Sequence, residues 1–364
     1  MEKIVVKAPG KLFIAGEYAV LEKGQQAIVI AVDRFITCEI QANNENILSL
    51  PDLRLENKTW EIENGKVYFQ NDDQKLAFVK NALEVFYQYL SENNQTVHPI
   101  SILVSSELDD RSGKKYGLGS SAAVVVAVVS ALFQFYFKKL DKPIIFKLSA
   151  IAHYKTQGNG SCADIAASTF GGWIAYSSFR PEWLLTKLAK ERSLTDLLRS
   201  SWPYLSVKNL TPPTSLHLSV GWTKSAVSTA PMVKKIQQLK QTNKQAYEQF
   251  LGKSTKAVDA FIQSCELNNI QLAMASLTEN REALQELAQL ANTEIESVPL
   301  KQLIAISNKY GTGKTSGAGG GDCGIALVKN AHDVNLLYKE WQEVNIEPLM
   351  LSINSTGVHV IDTK

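Results

Sequence analysis

Cysteine is scarce in this chain of 364 residues. Only Cys38, Cys162, Cys265 and Cys323 occur, far apart and mostly in apolar surroundings. With no CxxC pair among them, the thiols are expected to be reduced and buried in a cytoplasmic protein. Histidine is scarce too: five residues and no His-Glu-x-x-His, which argues against a zinc hydrolase. Neither sign of charge dominates, and a net charge of +2 leaves no basic field to attract nucleic acid. The opening MEKIVVKAPG (Met1 to Gly10) lacks an apolar signal region and reads as a first strand. The longest apolar run, Ala122 to Phe137, falls short of the roughly 20 residues a membrane span needs, and Gln134 interrupts it. A helix buried on all sides is expected there, and no membrane partner. There is no internal repeat and no low-complexity tail.

What is present suffices for a packed protein. The hydrophobic share of 45% supports a buried core, more naturally in two lobes than one. Strand patterns cover Ile4–Lys7, Ala27–Ile40, Thr59–Phe69 and Ile100–Ser106. Helices are expected over Gln74–Leu90, after Gly119, and over Pro143–Lys155, where Pro143 suits a first turn. Gly171–Ser178 and Ser215–Trp222 read as strands, with a helix over Glu182–Ser201 between them and a break at Thr211-Pro-Pro-Thr214. Amphipathic helices follow over Pro231–Gly252, Thr255–Leu267 and Ile270–Leu290. A helix before Tyr310, a glycine loop, a strand over Cys323–Val328, a further helix and strands near Glu347–Leu351 and Gly357–Ile361 complete the chain. The class is α+β, and the division is placed at 1–180 and 181–364.

Four segments carry candidate chemistry. The first is YGTGKTSGAGGGDCG (Tyr310 to Gly324), whose Gly-Lys-Thr suggests a Walker loop. That loop is GxxxxGK[ST], so its first glycine would fall at 308, which is Asn308, and the preceding residues read as helix rather than strand. The register fails. The useful part is Ser316 to Gly324, where glycines leading into an apolar strand let backbone approach a ligand closely; a flexible hairpin is the plainer alternative.

The second, KKYGLGSSAAVVVA (Lys114 to Ala127), formally matches a dinucleotide fingerprint. The residues before it, Asp109 to Lys115, are not the apolar strand that fingerprint requires, so a nicotinamide oxidoreductase is disfavoured. Two serines open the long apolar helix instead. A helix N-terminus offers unpaired N–H groups and the positive end of a dipole to an anion. Ser120 and Ser121 suit an N-cap, a phosphate contact or a Mg²⁺ ligand. The third, QGNGSCADIAASTFGGW (Gln157 to Trp173), places Asp164 among small residues, to orient an acceptor or to cap a helix. The fourth, VKAPGKLFIAGEYAVL (Val6 to Leu21), sets Lys7 and Lys11 on either side of a Pro-Gly turn, as surface charges or as a fixed cation for phosphate.

Taken together and in this order, Lys7–Val20, Gly117–Ala123 and Ser316–Asp322 resemble the three motifs of the galactokinase, homoserine kinase, mevalonate kinase and phosphomevalonate kinase (GHMP) superfamily. Each motif is weak alone; the set is specific and spans nearly the whole chain. Within the superfamily the resemblance is greatest to the bacterial phosphomevalonate kinase branch, through Gln157–Ser168, Gly171–Phe179, Val220–Thr229 and Lys114–Ser121. Mevalonate kinases are expected to carry Pro-Ser-Gly-x-Asp in place of Gly160–Asp164, and an upstream Mg²⁺-binding glutamate where this chain has His153.

The resemblance implies an N-terminal lobe like ribosomal protein S5 domain 2, a ferredoxin-like C-terminal lobe, and phosphoryl transfer from ATP to phosphomevalonate. It makes Lys11 and Asp164 the catalytic pair. Lys115, Gly117, Leu118, Gly119, Ser120, Ser121 and Ala122 would bind ATP, with Ser121 a Mg²⁺ ligand. Lys11, Glu17, Tyr18, Ser161, Ser316, Gly317 and Ala318 would meet the acceptor. Cations for the acceptor's own phosphate are sought among Arg111, Lys114, Lys115 and Lys224. A mevalonate kinase and a non-catalytic metabolite sensor are the competing readings; monomer and homodimer stay open.

Overall fold

A computed structural model describes residues 3–361 except 72, 111, 191–192 and 226–229. The first part of the chain runs β1 (Ile4–Ala15), β2 (Gln26–Ala42), β3 (Ile47–Leu50), β4 (Leu55–Glu63), β5 (Lys66–Phe69), α1 (Ala77–Glu92), β6 (Ile100–Ser106), α2 (Ser120–Phe137), α3 (Lys142–Gln157), α4 (Ala163–Phe170) and β7 (Trp173–Ser177). It continues with α5 (Pro181–Lys190), α6 (Leu194–Arg199), β8 (Ser206–Leu210), β9 (His217–Trp222), α7 (Ala230–Thr242), α8 (Lys244–Glu266) and α9 (Ile270–Leu290). The last part is α10 (Val298–Tyr310), β10 (Gly311–Thr315), β11 (Cys323–Val328), α11 (Ala331–Glu343), β12 (Glu347–Leu349) and β13 (His359–Ile361).

Two sheets organise these elements. The larger has the order β13-β1-β2-β6-β3-β4-β5, with β7 also beside β2 and β8 beyond β7. Along the edge away from β1, strand β2 serves two partners: Gln26–Ile30 pairs with β7 and Ile36–Ala42 with β6. The smaller sheet has the order β10-β11-β9-β12, antiparallel throughout. This is the strand order of the expected ferredoxin-like βαββαβ unit. Helices α10 and α11 cover it, with Trp341 buried and donating its indole N–H to Leu303 O at 3.1 Å. The fold is therefore α+β with two lobes. Strand pairing does not follow a cut at residue 180, however: β8 and β13 both belong to the larger sheet. Composition marked the Pro-Pro break, but not the return of the chain's last strand to its first.

Helix α2 is long and apolar enough to cross a membrane by length and composition. Its environment decides otherwise: it packs on α1, α3, α4, β1 and β2 as the central core helix. Local chemistry sets several helix starts. Asn269 accepts from Leu272 N at 3.0 Å and opens α9. Asp141 accepts from Ile144 N, with Pro143 in the first turn of α3. Several expectations fail. Pro9-Gly10 runs through continuous strand β1 and is not a turn: Pro9 pairs with Phe35 and Gly10 with Val32, and the irregularity falls on β2 at Asp33-Arg34. The single helix expected over Glu182–Ser201 is two, α5 and α6, with Ser193 capping the second. The break expected after Gly252 lies at Asn243, which accepts from Ala246 N, while Gly252 is inside α8.

Candidate active site

The loop Gly117–Ser121, where a phosphate site is expected, starts α2. Gly119 is the N-cap residue at φ 80°, and no side chain caps the helix. Ser120 and Ser121 therefore do not serve as caps, and the first-turn amides stay available to an anion. Lys11 enters from β1. Its backbone N–H donates to Leu118 O at 2.8 Å and its ammonium to Gly117 O at 3.2 Å. Its alkyl chain crosses the loop so closely that a β-carbon on Gly119 would stand 2.9 Å from Lys11 Cε. Lys7, by contrast, faces away, 3.7 Å from Glu107 and over the ring of Phe35.

Two cavities adjoin this loop. One, of about 260 Å³, is lined by Lys115, Ser120 and Ser121 together with an apolar wall that includes Ile36, Phe78, Val104 and Val124. The other, of about 470 Å³, brings together Lys11, Glu17, Tyr18, Ser161, Asp164, Gly317 and Ala318. Residues 307 positions apart in sequence, Lys11 and Ala318, thus share one cleft. Asp164 lies in the first turn of α4, half-buried, and its Oδ1 accepts from Ile165 N at 2.9 Å. Ser161 is fixed beside it through its carbonyl, which accepts from Tyr176 OH at 2.5 Å and Ser178 Oγ at 3.0 Å. Ala122 is wholly buried behind the loop.

The third glycine segment clamps the other two motifs. Ser316 Oγ donates to Phe13 O at 2.8 Å and accepts from Phe13 N at 3.0 Å. Tyr18 OH donates to Ala318 O at 2.5 Å, and Gly317 N donates to Glu17 Oε1 at 3.3 Å. Burial, and then the charge of Glu17, push the Tyr18 phenol well above its ordinary pKa, so it stays a donor. Farther on, Cys323 Sγ donates to Tyr116 O at 3.0 Å. The Asp322 carboxylate lies against the phosphate loop, where a β-carbon on Gly117 would be 2.7 Å from its Oδ2. Burial raises the Asp322 pKa, with Lys11 and Lys115 pulling the other way.

Several acceptor contacts expected from sequence are thus engaged with protein. Ser316 is tied to Phe13, and Tyr18 to Ala318. Glu17 forms an ion pair with Lys314 in which both side chains are almost wholly buried. Lys314 also donates to Thr315 O at 2.8 Å. Burial lowers the Lys314 pKa, and Glu17 opposes the shift. The Lys314 of Gly-Lys-Thr is therefore structural, and β10 is a strand, which closes the Walker reading on geometry as well as register.

Of the cations sought for the acceptor, Lys224 is 3.1 Å from Glu347, Lys114 is exposed and lines neither cavity, Lys115 lines the loop cavity, and Arg111 lies outside the described residues. Sequence reasoning missed Lys240, which lines the larger cleft from α7 and pairs with Glu22 at 2.6 Å. It also missed the apolar wall, whose residues come from separate strands and helices with no motif to mark them. Asp322 was visible as the last residue of a motif; its contact with Gly117 was not.

The family descriptions "GHMP kinases N terminal domain" and "GHMP kinases C terminal" match residues 77–172 and 257–347. A Streptomyces phosphomevalonate kinase is 34% identical over 98% of both chains. The chain belongs to the GHMP kinase family. Among solved structures of that fold, a Listeria innocua protein is 38% identical with a TM-score of 0.94 and full coverage of both chains. Streptococcus pneumoniae phosphomevalonate kinase, solved with phosphomevalonate and AMPPNP, is 27% identical with a TM-score of 0.85, covering 97% of this chain and 100% of that one. The three segments that carried the resemblance in sequence meet here around Lys11.

Family membership raises the question of a divalent ion. Among the described residues no group of three or more His, Cys, Asp or Glu side chains could hold a metal by itself. Mg²⁺ needs no such group, since it keeps waters and is held by one or two protein oxygens plus substrate phosphates. The Ser121 hydroxyl and the Asp164 carboxylate are hard oxygen donors of the right kind.

Proposed function

We propose that this chain transfers the γ-phosphoryl group of ATP to the phosphate of 5-phosphomevalonate, giving 5-diphosphomevalonate in the mevalonate pathway of isoprenoid synthesis. The observation that carries the reading is Lys11: it lines the acceptor cleft and bonds the phosphate loop at Gly117. The 34% identity to a phosphomevalonate kinase over nearly the full chain supports the acceptor.

ATP would place its base against the apolar wall and its β- and γ-phosphates over the start of α2. There the backbone amides and helix dipole meet the charge without reorganising. Lys11 supplies one ammonium where two anions must approach one another. Mg²⁺, held by Ser121 and Asp164, would supply further charge neutralisation. The acceptor is a phosphate monoester with a second pKa of about 6, so it is largely a dianion at neutral pH. An alcohol must lose a proton to attack; this dianion has already lost it. Asp164 is therefore an orienting group for Lys11 and the metal more than a base. Unpaired thiols, three of the four buried, accord with a cytoplasmic setting.

The test is a coupled ADP-release assay offering mevalonate and 5-phosphomevalonate side by side. Turnover with the phosphorylated acceptor alone is expected. Turnover with mevalonate alone replaces this reading with an alcohol kinase; nucleotide binding with turnover of neither replaces it with a sensor.

A further inference from the structure

His153 is 2% exposed, and neither ring nitrogen has a hydrogen-bond partner in the protein. An imidazole carries at least one N–H in every protonation state, and a buried donor without an acceptor is costly. Such a group calls for a specific explanation. The position of the ring supplies one. His153 lines the larger cleft together with Asp164, Ser161 and Lys11. The ring also packs on Phe78 at a tilt, with centroids 5.2 Å apart at 31°. Phe78 in turn lines the smaller cavity beside the phosphate loop. The imidazole thus lines the larger cleft and packs on a residue that lines the smaller cavity.

The charges lining the larger cleft limit what can sit there. Glu17, Glu22, Asp164 and Glu182 face it, against Lys11 and Lys240. Glu17 is bonded to Lys314 and Glu22 to Lys240, leaving Asp164 and Glu182 against the single ammonium of Lys11. A phosphorylated acceptor brings oxygens that only accept hydrogen bonds, so the cleft needs donors beyond Lys11. Imidazole is a poor match for Mg²⁺, which prefers oxygen, and a good one for a phosphate oxygen. We infer that His153 is a specificity-determining residue: its ring N–H donates to a phosphate oxygen of the phosphorylated acceptor and makes the cleft prefer that acceptor to its unphosphorylated alcohol. The inference rests on the acceptor class proposed above.

The test compares wild type with His153→Phe, which keeps the ring packing on Phe78, and His153→Gln, which keeps an N–H donor. Calorimetric Kd values for 5-phosphomevalonate and for mevalonate are measured beside KM for ATP and the melting temperature. His153→Phe is expected to weaken 5-phosphomevalonate binding about 10- to 100-fold, the range for a hydrogen bond to a charged group. KM for ATP and mevalonate affinity stay within twofold, the melting temperature does not fall, and His153→Gln recovers part of the loss. Should His153→Phe not fold, the ¹⁵N ring signals of His153 in the wild type decide. They should move on adding 5-phosphomevalonate and stay still with AMPPNP alone. Unchanged affinity in His153→Phe, an equal loss for both acceptors, or ring signals indifferent to the acceptor would overturn the inference. If the wild type itself neither binds nor turns over 5-phosphomevalonate, the proposed function falls and takes the inference with it; wild-type activity with an indifferent His153 sinks the inference alone.

Discussion

The two glycine segments, Gly117–Ser121 and Ser316–Asp322, look alike in composition and do opposite work. The first opens a core helix and leaves its amides bare. The second joins two antiparallel strands, β10 and β11, and its polar groups are spent on neighbours: Phe13, Glu17 and Tyr18 on one side, Ile295 on another, through Gly320 N to Ile295 O at 2.7 Å. One segment leaves helix amides uncapped; the other ties the first motif to the loop at the start of α2. Glycine content marks a close approach of backbone to something, and only the partner tells whether that something is substrate or protein.

The largest effect expected from breaking this contrast lies on the holding side. Glu17→Ala strands the Lys314 ammonium in the interior, which should cost about 3–5 kcal/mol of stability, the range for a broken buried pair. Urea denaturation of Glu17→Ala, Lys314→Met and the double variant measures it. The double variant should recover most of the loss, since no uncompensated charge remains. A Glu17→Ala protein as stable as wild type would mean that the pair does not hold the loop.

On the receiving side, Lys11→Met should lower kcat by about 10²–10³-fold with the melting temperature little changed, the range for losing one preorganised charge donor. Asp164→Asn should cost less than the ~10²–10⁴-fold typical of a lost general base. Steady-state kinetics on both variants ranks them, and the reverse order would restore Asp164 as a base.

Next come two glycines of the holding segment, both near φ 84°. A β-carbon on Gly317 meets nothing, so Gly317→Ala should cost only the left-handed strain of about 1–2 kcal/mol. A β-carbon on Gly319 would lie 2.3 Å from Ile295 O, a backbone atom that cannot swing aside. Gly319→Ala should therefore be the more destabilising of the two by thermal melting; equal losses would show that φ alone matters there.

The smallest effect is at Asp322, where the two segments touch. Its folded-state pKa is raised by burial, so the fold favours the protonated form. Stability from this group is full below the ordinary aspartate range and is lost as pH rises through the raised value. Asp322→Asn removes that dependence. Its melting temperature relative to wild type should rise from pH 4 to pH 7.5; a constant or falling difference would assign the carboxylate a net stabilising role.

Much of the fold is legible wherever the signal is local. The bounds Ile270–Leu290 and Cys323–Val328 agree with α9 and β11 because an Asn cap and an unbroken apolar run define them from within. Misreadings cluster where partners decide. Pro9-Gly10 reads as a turn until pairing with β2 holds it in a strand. Gly252 reads as a helix end until packing between α8 and α9 carries the helix past it. Thr59–Phe69 reads as one strand, yet Asn64 and Gly65 fold it into the β4–β5 hairpin.

By itself the sequence determined what backbone and composition decide nearby: a largely apolar helix opening after Gly119, the failed Walker register, and three spaced motifs with a lysine and an aspartate among them. Only the tertiary structure decided that Glu17 belongs to Lys314 across 297 positions, that Ser316 clamps Phe13, and that the ring nitrogens of His153 stand unpartnered beside the larger cleft. The physical reason is range. Dihedral preferences and helix capping act within a few residues, whereas desolvation and ion pairing depend on which distant groups the packed core brings together.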